Sequence, residues 1–573
     1  MPSTSFPPPF PPHHVHSQES PAVFRVQGGR MQDGNSKTTS SAMRRAAMAL
    51  LLLAACGAVA GLQVWSRAYL VEPLRHSDEA AHYLNGVVLA DYLRAGWGES
   101  PLAFAGRFYL HYPAIAPLVW PPLWHVMMGL WMAVAGTTPE AAMALTAVVG
   151  GGVLAAFFTL TRARAGWAVA GVFTAVLWGL PLFNDLVTCL MADLAVMLLA
   201  GWFTLAAVRF LDAPSRRNAW LLGLAGGAWG LTKANGLAAL PALALLLVLP
   251  AAARGAWKRL GGAAALAGAL GVPAALISMR LLGAHQPPGA GGLAAVADRA
   301  YFYANNMRWQ LGWPLLALAL AGVLLACFRI YRRQGAAPDT AVVAVLAGYF
   351  AFHLLLPFEH NERYLGSMLP PLLYFAATAV HAAAGLLPQR RIAAGALALA
   401  AAAWFFSARH TLQPQSPAGF REAARLLMAD HARPARALVI SEEKGEAAFA
   451  AGMASLDRAR RAFVLRGSKL IADSTWYGGE YKLLYSDAAS LAGRIERLGI
   501  RHVVFDTSVL AAPRPEHSLA WRMLNSDGGR FELERTIPYG RRIAVYRVTG
   551  AAEPPLERIQ YRLSRSAGIM VSE

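Results

Sequence analysis

Two adjacent carboxylates stand in the stretch His76-Ser77-Asp78-Glu79-Ala80-Ala81-His82-Tyr83, shortly beyond the end of a long apolar run. Ionisable groups are costly to keep so near hydrocarbon, so their presence points to function. A Ser77 or Asp78 cap on the helix that follows to Leu93 accounts for one acid and leaves the other free for chemistry. Two cations are candidates to face them. Lys233, in Leu231-Thr232-Lys233-Ala234-Asn235-Gly236, sits between two short apolar halves and reads as the break in an interrupted helix opening onto a cavity. A structural pair inside a bundle explains it equally well. Arg363, in Glu362-Arg363-Tyr364, precedes Pro370-Pro371; its alternatives are snorkelling to the interface or a pair with Glu359 or Glu362. Asp193 opens a further apolar run, with Asp185 as its rival and a simple helix cap as the competing role.

The elements that must position these residues are membrane spans. Hydrophobic residues make up 56% of the 573, charged ones only 15%, and the mean hydropathy is +0.38, too apolar for a soluble surface. Apolar runs near 46–65, 140–161, 167–183, 190–210, 219–232, 236–253, 259–280, 312–331, 340–357, 365–386 and 391–408 are each read as crossing the bilayer. The expected fold is an all-α polytopic membrane domain over 45–408, with about eleven spans and room for up to thirteen. Pro117 to Gly136, proline-rich at its start and carrying tryptophans, is read as dipping into the outer interface. The net charge of +19 is topological: Arg162/Arg164, Arg209/Arg216/Arg217, Arg254/Lys258/Arg259, Arg329/Arg332/Arg333 and Arg390/Arg391 all fall on the cytoplasmic side if the N-terminus lies inside. No basic stripe interleaved with stacking aromatics occurs, so nucleic acid is not an expected partner.

This count leaves residues 66–116 as the first outer loop and everything after 408 outside. Residues 1–44, rich in Pro, Ser, Thr and Gly, are expected to be a disordered cytoplasmic tail. From 409 to 573 charges are spread throughout. Strands near 437–440, 462–465, 502–505, 531–535 and 543–548, with helices near 420–430, 442–455 and 487–498, indicate a C-terminal extracytoplasmic α/β domain. Its Trp476-Tyr477-Gly478-Gly479-Glu480-Tyr481 segment is of the kind that stacks on sugar rings, although ordinary turn packing explains it more simply. The three cysteines, Cys56, Cys189 and Cys327, lie in or beside apolar runs and offer no disulfide framework or CxxC site. His76, His82, His111, His125 and His360 are all assigned to the outer side without a compact ligand motif, so no metal and no cofactor is expected. No Walker A loop, GxGxxG or GxSxG elbow is present.

Taken in order, Asp78-Glu79-Ala80, Trp120-Pro121-Pro122-Leu123-Trp124-His125, Leu231 to Gly236, and Glu362-Arg363-Tyr364 ahead of Pro370-Pro371 resemble glycosyltransferase family 39 over roughly 45–385. That group, of the GT-C type, includes protein O-mannosyltransferases and the lipid A aminoarabinose transferase. The resemblance implies sugar transfer from a polyprenyl-phosphate donor to a lipid, glycan or protein acceptor at the outer face of the cytoplasmic membrane. A single displacement with inversion needs one base, for which Asp78 is the candidate, with Glu79 and Asp193 beside it. Arg363 and then Lys233 would hold the leaving phosphate, which is already ionised and needs no acid. His82, Tyr83, His125 and Tyr364 are the expected substrate contacts. Members similar to the aminoarabinose transferase carry an Arg and a Lys where this chain has Ala81 and Trp120, so the sugar does not carry over. The competing functions are a transporter or flippase for a lipid-linked glycan, against which the absence of an internal repeat argues, and a catalytically silent scaffold.

Overall fold

A computed structural model describes residues 36–249, 256–283, 292–356, 360–408, 414–429, 434–473, 481–526 and 529–550. Residues up to Leu50 form one compact unit and those from Leu51 onward a second. Helix α1 runs Ser36–Trp65, so helix begins inside the stretch expected to be a tail; Ala46, Ala47 and Met48 after Arg44-Arg45 are good helix formers. Residues 1–35 lie outside the described ones.

Three helices follow before the bundle resumes: α2 (Glu79–Ala95), α3 (Pro101–His111) and α4 (Leu123–Ala135). With 13 residues α4 is about 20 Å long, short of a bilayer's hydrocarbon, in keeping with an interfacial position. Then come α5 (Pro139–Ala165), α6 (Trp167–Gly179), α7 (Pro181–Val187), α8 (Ala192–Asp212), α9 (Arg216–Thr232), α10 (Ala239–Val248) and α11 (Trp257–Gly283). The bundle closes with α12 (Leu293–Tyr331), α13 (Ala337–Leu355), α14 (Leu369–Ala384) and α15 (Arg390–Ser407). Each expected span is largely helical where it is described, but among the described residues only six helices are long and apolar enough to cross by themselves, or seven if α6 and α7, bent by 68° at Leu180-Pro181, count as one. The other expected spans are shorter helices, of 17 residues in α9, 10 in α10, 16 in α14 and 18 in α15, so an eleven-span count depends on short segments.

Two local breaks shape the bundle. Helix α12 starts at Leu293, well ahead of the span expected at 312–331, and bends at Gly312, whose φ of 72° suits glycine, just ahead of Pro314. Between α9 and α10 the chain leaves helix at Lys233 (φ −160°) and re-enters through a short 3₁₀ turn, Ala234–Ala238, the interruption expected from the sequence. Gly236 is required there, since a Cβ would lie 2.0 Å from the Trp229 carbonyl oxygen. At the end of the bundle carrying the arginine clusters, Arg164 on α5 pairs with the buried Asp339 on α13 at 3.1 Å, and Tyr374 donates to the same carboxylate at 2.6 Å.

After α15 the chain forms a small α/β domain: α16 (Phe420–Met428), β1 (Arg436–Ile440), α17 (Glu443–Leu456), β2 (Phe463–Arg466), α18 (Gly467–Leu470), β3 (Ala472–Asp473), β4 (Lys482–Leu483), α19 (Ala488–Arg497), β5 (His502–Asp506), α20 (Pro515–Ser526), β6 (Phe531–Pro538) and β7 (Arg542–Val548). The main sheet has the order β2-β1-β5-β7-β6, with β2, β1 and β5 parallel and β7 and β6 antiparallel. All five strands read from the sequence form it; α20 and the β3–β4 pair were not foreseen. The domain is anchored to the loop after α1 by Glu72, whose carboxylate accepts the backbone N–H of Ala418 at 2.8 Å and of Gly419 and Arg421 at 3.0 Å, over the start of α16. Arg460 bonds Asp91 at 2.7 Å, Tyr112 donates to Asp457 at 2.7 Å and His111 meets the Ala462 carbonyl at 2.9 Å.

Candidate active site

Asp78 lies just before the first residue of α2 but makes no side-chain capping bond; the hydroxyl of Ser77 donates to it at 3.1 Å, and its side chain keeps 20% exposure. Capping therefore does not use it. The Arg363 guanidinium, in the 3₁₀ turn Glu362–Ser367 before α14, stands 3.9 Å from Asp78 and 4.0 Å from Asp193. That turn is held by Asn361, whose side-chain oxygen accepts from the Arg363 backbone N–H at 3.1 Å and from its Nε at 3.2 Å. Asp193, in the first turn of α8, is almost fully buried and receives both carboxylate bonds from Lys233 Nζ at 2.8 Å. Lys233 also lies 5.0 Å from the centre of the Tyr364 ring, a cation–π distance. The interrupted helix, the start of α8, the start of α2 and the turn before α14 thus place two acids and two cations together at one end of the bundle. Lys233 is spent on Asp193, whereas the Arg363–Asp78 contact exceeds hydrogen-bond length, and the bonds Arg363 makes, to Asn361 and to Met191 Sδ at 3.8 Å, go to neutral partners.

The chain as a whole resembles known architectures. The apo structure of ArnT from Cupriavidus metallidurans superposes with a TM-score of 0.52 over 91% of this chain and 100% of that one, at 13% identity. ArnT bound to undecaprenyl phosphate gives 0.51 over 88% and 99%, also at 13% identity. The Archaeoglobus fulgidus oligosaccharyltransferase, in complex with Zn and sulfate, gives 0.50 over 80% of this chain and 68% of that one at 15% identity. This is a GT-C fold. No protein-family model matches the sequence, and no curated protein matches it either. The likeness is therefore one of fold, carried by a multi-pass membrane chain with a small α/β domain at its C-terminus.

Within this GT-C fold the remaining expected residues separate into groups. Glu79, expected beside Asp78 as a catalytic acid, is committed to backbone: one oxygen accepts from Leu190 N–H at 2.9 Å and the other from Arg75 N–H at 3.0 Å. It is buried, and desolvation pushes its carboxyl up to about 6. Its geometry is that of a clamp tying the loop before α2 to the turn before α8. Asp185 pairs with Arg75 and with His76 Nε2 at 2.8 Å, which removes it as a rival to Asp193. Tyr83, expected at the substrate, is fully buried and donates to the Thr137 carbonyl at 2.5 Å, outside the charged cluster. His82, one turn after Asp78, meets His125 at 2.8 Å between Nδ1 and Nε2 and packs on Trp120 at 4.4 Å between ring centres. Its Nε2 is buried with no partner among the described residues.

Apart from the His82–His125 pair, the histidines expected on one side lie apart. His111 serves the domain contact above, and His360 packs on Phe302 at 4.6 Å between ring centres. His76, Asp185 and Cys189 form the one group among the described residues whose ligand atoms, all within 4.8 Å of one another, could hold a metal. The Arg75 guanidinium already occupies that carboxylate, so a cation would have to displace it. The aromatic segment of the C-terminal domain lies outside the described residues except for Tyr481, which donates to Glu516 at 2.6 Å. Sequence reasoning missed His353 and Tyr349, both in the apolar run of α13. Tyr349 accepts from Asn235 Nδ2 at 2.8 Å, and His353 stacks on Tyr364 at 5.0 Å and 22°. A histidine in an otherwise apolar span was the available signal.

Proposed function

We propose that the protein is a membrane glycosyltransferase that moves a sugar from a polyprenyl-phosphate carrier to an acceptor hydroxyl at the outer face of the cytoplasmic membrane. The observation that carries this reading is the uncapped, partly exposed Asp78 carboxylate facing the Arg363 guanidinium at 3.9 Å at the end of the bundle where the outer domain docks. Asp78 takes the acceptor proton as the hydroxyl attacks the anomeric carbon, with inversion. The departing phosphate is already ionised, so the chain supplies cations and no acid: Arg363 receives it, and Lys233, held by Asp193, adds field. A small apolar groove lined by Val153, Phe157, Leu160, Met197, Val345 and Pro371 among others ends at Ser367, in the turn that carries Arg363, and its apolar lining is of the kind an isoprenoid tail requires. The fold shared with ArnT bound to undecaprenyl phosphate, and with an oligosaccharyltransferase, supports the same class. The N-terminus then faces the cytoplasm and the α/β domain the outside.

The test is transfer by the purified protein in lipid nanodiscs, using a panel of polyprenyl-phosphate sugars and envelope extracts as acceptors. Label moving to acceptor in the wild type and lost in Arg363→Gln supports the reading. A wild type that transfers nothing from the panel but carries lipid-linked glycan across vesicle membranes would replace it with the transporter function.

A further inference from the structure

Beside the Lys233–Asp193 pair, side chains from the end of α9, the interrupted helix, α13 and the turn before α14 form a continuous wall. The Trp229 and Tyr349 rings lie parallel, 2° apart with centres 5.8 Å apart, and Tyr349 meets His353 at 4.6 Å. His353 in turn stacks on Tyr364, which sits under Lys233 Nζ. Asn235 is fixed against this wall by its bond to the Tyr349 hydroxyl.

Polar atoms on this wall are left over. Asn235 Oδ1, His353 Nε2 and Trp229 Nε1 are buried with no hydrogen-bond partner among the described residues, and their residues are 6%, 3% and 0% exposed. Each such orphan costs about 1–3 kcal/mol, and native structures rarely keep several together without a ligand or water to meet them. The set offers an acceptor on Asn235, a donor on Trp229 and either role on His353, beside aromatic rings, and it carries no charge of its own.

Resting on the transferase reading above, we propose that this wall is the subsite for the donor's sugar ring, that Asn235 Oδ1 and His353 Nε2 bond its hydroxyl groups, and that the sugar is neutral. Hydroxyls both donate and accept, and C–H faces pack against aromatic rings, so a polyhydroxylated ring matches the leftover atoms. The phosphate does not, since it calls for the cations at Arg363 and Lys233; the isoprenoid tail does not, since it calls for the apolar groove. An amino or carboxylate substituent would be buried against this wall without a counter-charge, because Asp193 and Lys233 are spent on each other.

The experiment titrates wild type, Asn235→Ala and His353→Phe in nanodiscs with bare undecaprenyl phosphate and with the same carrier bearing neutral hexoses or pentoses, an amino sugar or a uronic acid. His353→Phe keeps the ring and removes the nitrogens, and binding of the bare carrier reports that each variant is folded. The expected result is equal affinity of all three proteins for the bare carrier and tighter binding of a neutral glycosylated carrier by the wild type. That gain should fall roughly 5- to 100-fold in both variants. Variants that keep the full gain overturn the subsite, and a preference for the charged sugars overturns the neutral class. A wild type that binds no carrier at all overturns the transferase reading beneath it.

Discussion

Replacing Lys233 with methionine keeps the length of the side chain and removes its charge, and the structure sets the cost. Asp193 has a side chain 2% exposed and draws both carboxylate bonds from Lys233 Nζ at 2.8 Å, while Arg363 stands at 4.0 Å, beyond hydrogen-bond reach. Removing one member of a buried pair costs about 3–5 kcal/mol, because the remaining charge has left water without compensation. Arg363 recovers part of this by moving in, so Lys233→Met should lose about 3 kcal/mol. Replacing both partners with apolar residues, as in Asp193→Leu with Lys233→Met, should return stability to within about 1 kcal/mol of wild type, since the stranded charge is gone. The assay is reversible unfolding in mixed micelles, followed by tryptophan fluorescence across wild type, both single variants and the double. The coupling energy should reach about 2 kcal/mol or more. A single variant as stable as wild type, or a double no more stable than the single, refutes the claim that Lys233 is chiefly Asp193's counter-ion.

Three further outcomes follow from the geometry. The folded Glu79 carboxyl holds its proton to about pH 6 against 4.5 unperturbed, so its contribution is fully present below pH 4.5 and lost as pH rises through 6. The loss should amount to about 2 kcal/mol, and unfolding of Glu79→Gln as a function of pH should lack that step. Glu72→Ala strands three backbone donors at the start of α16, so hydrogen exchange at Ala418, Gly419 and Arg421 should quicken about 10- to 100-fold while exchange in β1 and β5 stays slow. Gly236→Ala drives a Cβ into the Trp229 carbonyl and should abolish the detergent-stable folded fraction in size-exclusion chromatography, whereas Gly261→Ala, whose Cβ meets nothing within 4 Å, should not.

Much of this was legible in the sequence. Apolar runs and arginine clusters pointed to helices at the expected spans, and short runs such as Leu438-Val439-Ile440 and Val503-Val504-Phe505 pointed to the main strands. Asp78, Asp193, Lys233 and Arg363 were visible because a charge beside an apolar run is conspicuous. Their partners were not visible, since the Lys233–Asp193 bond joins residues on different helices. Glu79 was expected beside Asp78 as a catalytic acid; only the folded chain brings Leu190 N–H to it. His353 and Tyr349 were hidden inside an apolar run, and Glu72 gave no sign that the start of α16 would arrive above it. The span count was the weakest reading, because hydropathy registers apolar length but not the bend at Leu180-Pro181.

The most direct test of the account is the rate of sugar transfer by Asp78→Asn, in protein that still binds undecaprenyl phosphate as wild type does. A base that removes the acceptor proton contributes about 10²–10⁴-fold, so the folded variant should lose transfer by that factor while keeping its affinity for the carrier. An Asp78→Asn protein that transfers sugar at the wild-type rate would show that the proton leaves by another route and that the Asp78–Arg363 pair is not the reacting centre.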